Sequence, residues 1–150
     1  MERDERLLLR AFLDHLKEGK VPTNLSLSKR AGLSPSLVSP GIGRLQALGY
    51  LIRDGREYGR LRTSPSAWTD FDEAPPRLAF NETNLTYATK PARAALPFIR
   101  QFFDTYYHLP SPTDLAPLLG VSRQRAHQLL RELGRLEVIP TETRRVKKET

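Results

Sequence analysis

The sequence predicts a mainly α-helical protein with short β-strands, organised as two similar units in tandem. Three observations predict it. Apolar residues recur at helical spacing in several segments, a glycine-serine step follows a short helix twice at one offset, and each copy ends on apolar residues suited to a strand.

The first helix is predicted from Leu7, Leu8, Ala11, Phe12, His15 and Leu16, whose spacing puts them on one face. Phe98, Ile99, Phe102, Phe103, Tyr106 and Tyr107 show the same spacing at an offset of 98 − 7 = 91. A proline-containing loop follows each stripe, over residues 19–24 and 109–112. A second helix is expected over 26–31 and again over 113–119. Gly32 and Gly120 can take the left-handed conformation that ends a helix, and Ser34 and Ser122 can cap the next one. Counted from these serines, Leu45 and Leu48 match Leu133 and Leu136 at an offset of 122 − 34 = 88. The copies close on Tyr50-Leu51-Ile52 and on Val138-Ile139.

Helix, helix, glycine-serine turn, helix, strand is the order of a winged helix-turn-helix. The expected architecture is therefore mainly α with short β wings: two winged helix-turn-helix domains in tandem, over residues 1–63 and 94–150. In the first copy Asp54-Gly55 is a hairpin-turn signal between two short strands, which would form a wing. In the second, the chain passes Pro140 into a basic tail, and the wing is expected to be short or absent. Pro40 inside the third helix of the first copy costs roughly 3 kcal/mol, and Gly41 and Gly43 about 1 kcal/mol each. A regular helix from Pro35 through Leu48 is thus not expected, and a shortened one starting at Pro40 and capped by Ser39 fits better.

Residues 64–93 read as a linker, with Pro65, Pro75, Pro76 and Pro91 and an acidic cluster of Asp70, Asp72 and Glu73. Trp68, Phe71, Phe80, Leu85 and Tyr87 are more apolar mass than a solvated tether carries. The segment is expected to pack on one of the domains, with a short hairpin around Asn81 to Asn84.

The chain has 150 residues, and its 24 Lys and Arg outnumber 17 Asp and Glu for a net charge of +7. With an isoelectric point near 10.0, such a balance favours a polyanionic partner, either nucleic acid or an acidic membrane surface. The absence of cysteine excludes disulfides and thiolate metal sites, and His15, His108 and His127 are far apart, so no metal or cofactor is expected. No window approaches the roughly 20 apolar residues of a membrane span, and the N-terminus lacks a secretion signal, which together point to a cytoplasmic protein without a membrane partner. Carboxylates are scattered among basic residues. There is no glycine-rich phosphate loop and no serine or histidine in a nucleophile context, so no enzyme activity and no catalytic residue is expected.

In the second copy Pro110-Ser111, Leu115-Ala116, Leu119-Gly120-Val121-Ser122, Leu133, Leu136 and Ile139 together resemble the N-terminal domain of LexA-type repressors. The run from Gly120 to Gln128 is also similar to the recognition helix in region 4 of bacterial primary sigma factors. In the first copy Ala31-Gly32-Leu33-Ser34-Pro35-Ser36-Leu37-Val38-Ser39, followed by Arg44-Leu45-Gln46-Ala47-Leu48-Gly49-Tyr50-Leu51, resembles regulators of the MarR and Lrp type.

These resemblances imply that the third helix lies in the major groove with its N-terminal residues at base edges. The residues so placed are Ser122, Arg123, Gln124, Arg125, His127 and Gln128, with Arg131 one turn further on. Arginine can donate two hydrogen bonds to guanine and glutamine can pair with adenine. The alternative is an ordinary solvated face, with His127 packed at the helix edge.

In the first copy Ser34, Ser36 and Ser39 can approach phosphates. Arg44 and the wing residues Arg53, Arg56, Arg60 and Arg62 can hold the backbone or minor groove. A solvated hairpin in which Asp54 and Glu57 compensate the arginines is the competing account. Arg144 and Arg145, with Lys147 and Lys148, form a tail that either binds phosphate non-specifically or stays disordered.

The expected partner is double-stranded DNA, bound by a monomer or homodimer. The expected function is sequence-specific binding by a transcriptional regulator of bacterial or phage type, in which the second copy reads bases and the first positions. Two alternatives stand beside it. One is a plasmid or phage replication initiator. The other is an interaction protein docking on RNA polymerase or a chromosome-segregation partner, supported by the uncharged, proline-containing helix of the first copy.

Overall fold

The first apolar stripe folds as helix α1 (Arg3–Lys17), buried through Leu8, Leu9, Phe12, Leu13 and Leu16. The computed structural model describes residues 1–55 and 60–140 and the backbone of 144–145. It is mainly helical, with short strands that include one antiparallel pair. At the start of α1 the Glu5 carboxylate accepts a hydrogen bond from the Glu2 amide at 2.9 Å. Strand β1 (Lys20–Val21) leads to α2 (Asn24–Ala31) and α3 (Pro35–Ala47), which pack on α1 and on each other. Thr23 and Ser26 cap α2 reciprocally, amide to hydroxyl at 2.9 and 3.1 Å. Leu27, Val38, Ile42, Leu45 and Leu51 are all buried in this unit.

Helix α3 runs unbroken through Pro40, which overturns the expected shortened helix capped by Ser39. Pro35 occupies the first turn, where its missing N–H does no harm, and Pro40 forfeits one main-chain hydrogen bond. Against that loss, Val38, Ile42 and Leu45 are buried on one face, and full burial stabilises by roughly 1.5–3 kcal/mol for each such side chain. Tertiary packing therefore outweighs helix propensity. Gly41 also has a packing role, since a Cβ there would lie 2.7 Å from Leu8 Cδ2 of α1. Pro40 itself is exposed. Pro40→Ala should stabilise the first unit by about 2 kcal/mol, the roughly 3 kcal/mol helix penalty less the roughly 1 kcal/mol by which proline restricts the unfolded chain. Denaturant unfolding with an unchanged or lowered midpoint would contradict this.

Strand β2 (Leu51–Arg53) pairs antiparallel with β3 (Leu61–Thr63), with Ile52 opposite Arg62. Arg53 stands opposite Leu61 and the Asp54 amide donates to the Arg60 carbonyl at 2.9 Å, so Asp54-Gly55 does not form the two-residue turn its sequence suggests. Next, α4 (Pro65–Thr69) buries Ala67 and Trp68, and the Trp68 indole donates to Thr63 Oγ1 at 2.9 Å. Glu73 accepts from Arg10 at 2.8 and 3.0 Å and from Lys17 at 3.1 Å, while the Arg10 guanidinium lies 4.8 Å from the centre of the Phe71 ring. The first compact unit accordingly extends to Pro76, and the second starts at Arg77. The segment that reads as a linker is divided between the two.

In the second unit Leu78 and Ala88 belong to the core. The expected hairpin near Asn81 is instead a single helical turn, α5 (Glu82–Leu85). Helices α6 (Lys90–Tyr106), α7 (Pro112–Leu119) and α8 (Arg123–Arg135) pack around Leu96, Ile99, Phe103, Leu115, Leu129 and Leu133. Phe98, expected in the apolar stripe, lies on the exposed side of α6. Val138-Ile139 does not form a strand. The Asn81 amide donates to the Val138 carbonyl at 3.0 Å and the Asn84 side chain to the Leu136 carbonyl at 2.8 Å, which ties the arm before α6 to the segment that follows α8. No helix of the described residues is long and apolar enough to cross a membrane.

The two units repeat each other in backbone detail. Helices α2 and α7 have the same bounds after a shift of 112 − 24 = 88, as do α3 and α8 after 123 − 35 = 88. Left-handed residues recur at that offset as Gly19 and Tyr107, Gly32 and Gly120, Gly49 and Glu137. The Tyr50 amide donates to the Leu45 carbonyl at 2.9 Å, as Val138 does to Leu133 at 3.0 Å. The first helices therefore match at 88 and not at 91. A slip of three residues is close to one 3.6-residue turn, so it leaves an apolar stripe looking much the same.

Under this offset His15 stands where the second unit has Phe103, on the core face of the first helix. Its Nδ1 is 3.2 Å from Arg30 Nη1, and its buried Nε2 has no hydrogen-bond partner among the described residues. Burial and the Arg30 charge, with a smaller contribution from Lys20, push its pKa below the ordinary histidine value, against the weaker opposing effects of the Ser26 backbone and Glu18. The folded unit therefore keeps His15 neutral where the unfolded chain takes up a proton. Stability should fall as pH drops below about 6.5 and level off below the depressed folded value. His15→Phe should remove that part of the pH dependence, as read from unfolding midpoints between neutral and mildly acid pH.

Candidate nucleic-acid interface

The second unit positions a polar helix face through two caps and one turn. Ser111 and Asp114 form a capping box at the start of α7, amide to side chain at 3.0 and 3.2 Å. Gly120, at φ 67°, ends α7, and Ser122 accepts from the Arg125 amide at 3.1 Å to start α8. The buried face of α8 carries Ala126, Leu129 and Leu133. Its opposite face is thereby turned out, and Arg123, Gln124, Arg125, His127, Gln128 and Arg131 are all exposed, as is Ser122 at the cap.

Arg125 Nη1 donates to Gln128 Oε1 at 3.3 Å, which holds two of these side chains together. Among the described residues no carboxylate pairs with Arg123, Arg125 or Arg131. The one acid of α8, Glu132, is engaged at the start of α6, where it accepts from the Thr89 amide at 2.7 Å and hydroxyl at 3.0 Å. His127 does not pack at the helix edge. With Arg123, Gln124, Pro112 and Thr113 it lines an open concavity of about 740 Å³. Pro112 and Thr113 were missed from sequence, although the capping box that puts them in the first turn of α7 is legible there.

In the first unit the residues at the same offset are Pro35, Ser36, Leu37, Ser39, Pro40 and Gly43, and they are exposed too. Ser34 is exposed but does not cap α3 with its side chain, which lies 3.2 Å from the Ser36 hydroxyl. Ser39 sits within the helix and not at its start.

Arg44 departs from the expected backbone-holding role. Its Nε is 3.1 Å from Oε1 of the buried Glu5, a tie from α3 to the first turn of α1. Glu132 occupies the equivalent position in the second unit and makes the equivalent tie to α6. The same structural task is done with opposite charges.

On the hairpin, Arg62 pairs with Asp54 at 2.9 Å, as the solvated-hairpin account anticipates for that residue. Arg53 and Arg60 are half-buried on the same hairpin. Arg56 lies outside the described residues, as do the side chains of Arg144 and Arg145, whose backbone forms the short strand β4 (Arg144–Arg145). Comparison of the chain with protein-family models, with curated proteins and with solved structures gives no match.

Proposed function

We propose that this chain is a sequence-specific double-stranded DNA-binding protein made of two winged helix-turn-helix units, acting as a transcriptional regulator of bacterial or phage type. The observation that carries the reading is the outer face of α8. Three arginines without carboxylate partners among the described residues, two glutamines and a histidine stand exposed on a helix whose start is set by a capped glycine-serine turn. Guanidinium and amide groups so placed can donate and accept in the pattern that major-groove base edges require. A net charge of +7 supplies the general attraction to phosphate.

The second unit is then the base reader, and the first, with its Arg62 and Arg44 occupied by internal acids, contributes less charge-based contact. Selection of bound duplexes from a random pool by the full chain tests the proposal. It expects one family of related sites and an affinity that falls steeply as salt rises. Equal binding to every duplex, without dependence on salt, would sink it.

A further inference from the structure

The six outward positions of α8 have counterparts on α3 that carry no charge. Pro35, Ser36, Leu37, Ser39, Pro40 and Gly43 stand exposed where the second unit has Arg123, Gln124, Arg125, His127, Gln128 and Arg131. Leu37, 42% exposed, occupies the position of Arg125. Around this uncharged face the chain is one-sidedly basic. From Gly19 to Arg53 it contains Lys20, Lys29, Arg30, Arg44 and Arg53 and not one aspartate or glutamate. Of these, Lys20 and Arg30 pair with Glu18 and Arg44 with Glu5, and the exposed Lys29 stands in the last turn of α2, so no charge lies on the face itself.

An uncharged helix face on a chain of net charge +7 fits duplex DNA better than an acidic protein segment. An acidic peptide would have to bring carboxylates against Leu37 and Pro40, where no counter-charge waits, and desolvating an unpaired charge is unfavourable. A duplex keeps its phosphates on the groove walls and offers at the floor only neutral base edges, among which the C5-methyl of thymine is the apolar group. From this we infer that the first unit reads thymine methyl groups, through Leu37 and Pro40, while the second reads polar base edges. The inference rests on the DNA-binding reading above. It gives the two halves of the binding site different chemistry: a thymine-dependent part under α3 and a guanine- or adenine-dependent part under α8.

The test replaces thymidine by deoxyuridine, position by position, in a duplex selected by the full chain. Pairing is unchanged and only the methyl is lost. A buried methyl is worth a roughly fourfold change in affinity, and that loss is expected at one or more positions in one part of the site. Leu37→Ala, at an exposed position, should abolish discrimination between thymidine and deoxyuridine there and leave base preferences elsewhere intact. Leu37→Arg, which imports the residue of the second unit, should move the preference at that position towards guanine.

If deoxyuridine is tolerated throughout while the duplex is still selected, this inference is overturned and the DNA-binding proposal stands. Discrimination that survives in both Leu37→Ala and Pro40→Ala also overturns it, because the methyls are then read by other residues. If no duplex is selected at all, both readings fail, and the neutral face of α3 is left to a protein partner.

Discussion

Replacing Trp68 with alanine should destabilise the first unit by about 3–5 kcal/mol, the usual range for deleting a fully buried aromatic side chain. Trp68 is 1% exposed and its indole nitrogen donates to Thr63 Oγ1 at 2.9 Å. The truncation would open a cavity beside β3 and leave the hydroxyl of a buried threonine without that donor. Domains of this size are stable by only about 5–15 kcal/mol, so the loss is a large part of the total. Hydrogen exchange at the α1 and α3 amides, compared with the unaltered chain, is the direct measure. Protection reduced by less than tenfold, about 1.4 kcal/mol, would mean that residues 64–76 are the tether their prolines suggest and not part of the core.

Arg123→Ala and Arg125→Ala should each lower affinity for the preferred duplex by about 1–3 kcal/mol, roughly 5- to 150-fold, and should relax the preference at one base position. Loss of selectivity is the decisive sign. An arginine that only contacts phosphate would weaken binding to all duplexes alike and reduce the salt slope by about one unit. The two variants are suited to a clean comparison because both side chains are exposed and neither pairs with a carboxylate among the described residues. If both variants keep the original preference at undiminished affinity, α8 is not the reading helix. A double-mutant comparison has one added use: Arg125 is bonded to Gln128, so Gln128→Ala should alter the Arg125 contact as well as its own.

Much of the fold follows from local signals. Gly32 and Gly120 end helices in the left-handed conformation, Ser122 caps α8, and the bounds of α7 lie within one residue of the 113–119 expected. These features depend on neighbours within one or two turns, which sequence displays directly. The helix through Pro40 was not legible for the opposite reason. Local propensity opposes it, and what overrides propensity is the burial of Val38, Ile42 and Leu45 against residues remote in the chain. The same holds for residues 64–93, where prolines and acids suggest a tether, yet Glu73 meets Arg10 and Leu78 enters the second core.

The candidate surface divides along the same line. By itself the sequence determined the repeat at 88 residues, the basic balance of the chain and the choice of residues on the outer face of α8, because helical periodicity alone separates buried Ala126, Leu129 and Leu133 from their exposed neighbours. Only the tertiary structure decided which arginines remain available. Arg44 is drawn to buried Glu5 and Arg62 to Asp54, whereas Arg123, Arg125 and Arg131 meet no acid among the described residues. The physical reason is that a charge is occupied or available according to what lies within about 4 Å of it, and those neighbours are supplied by other elements of the fold.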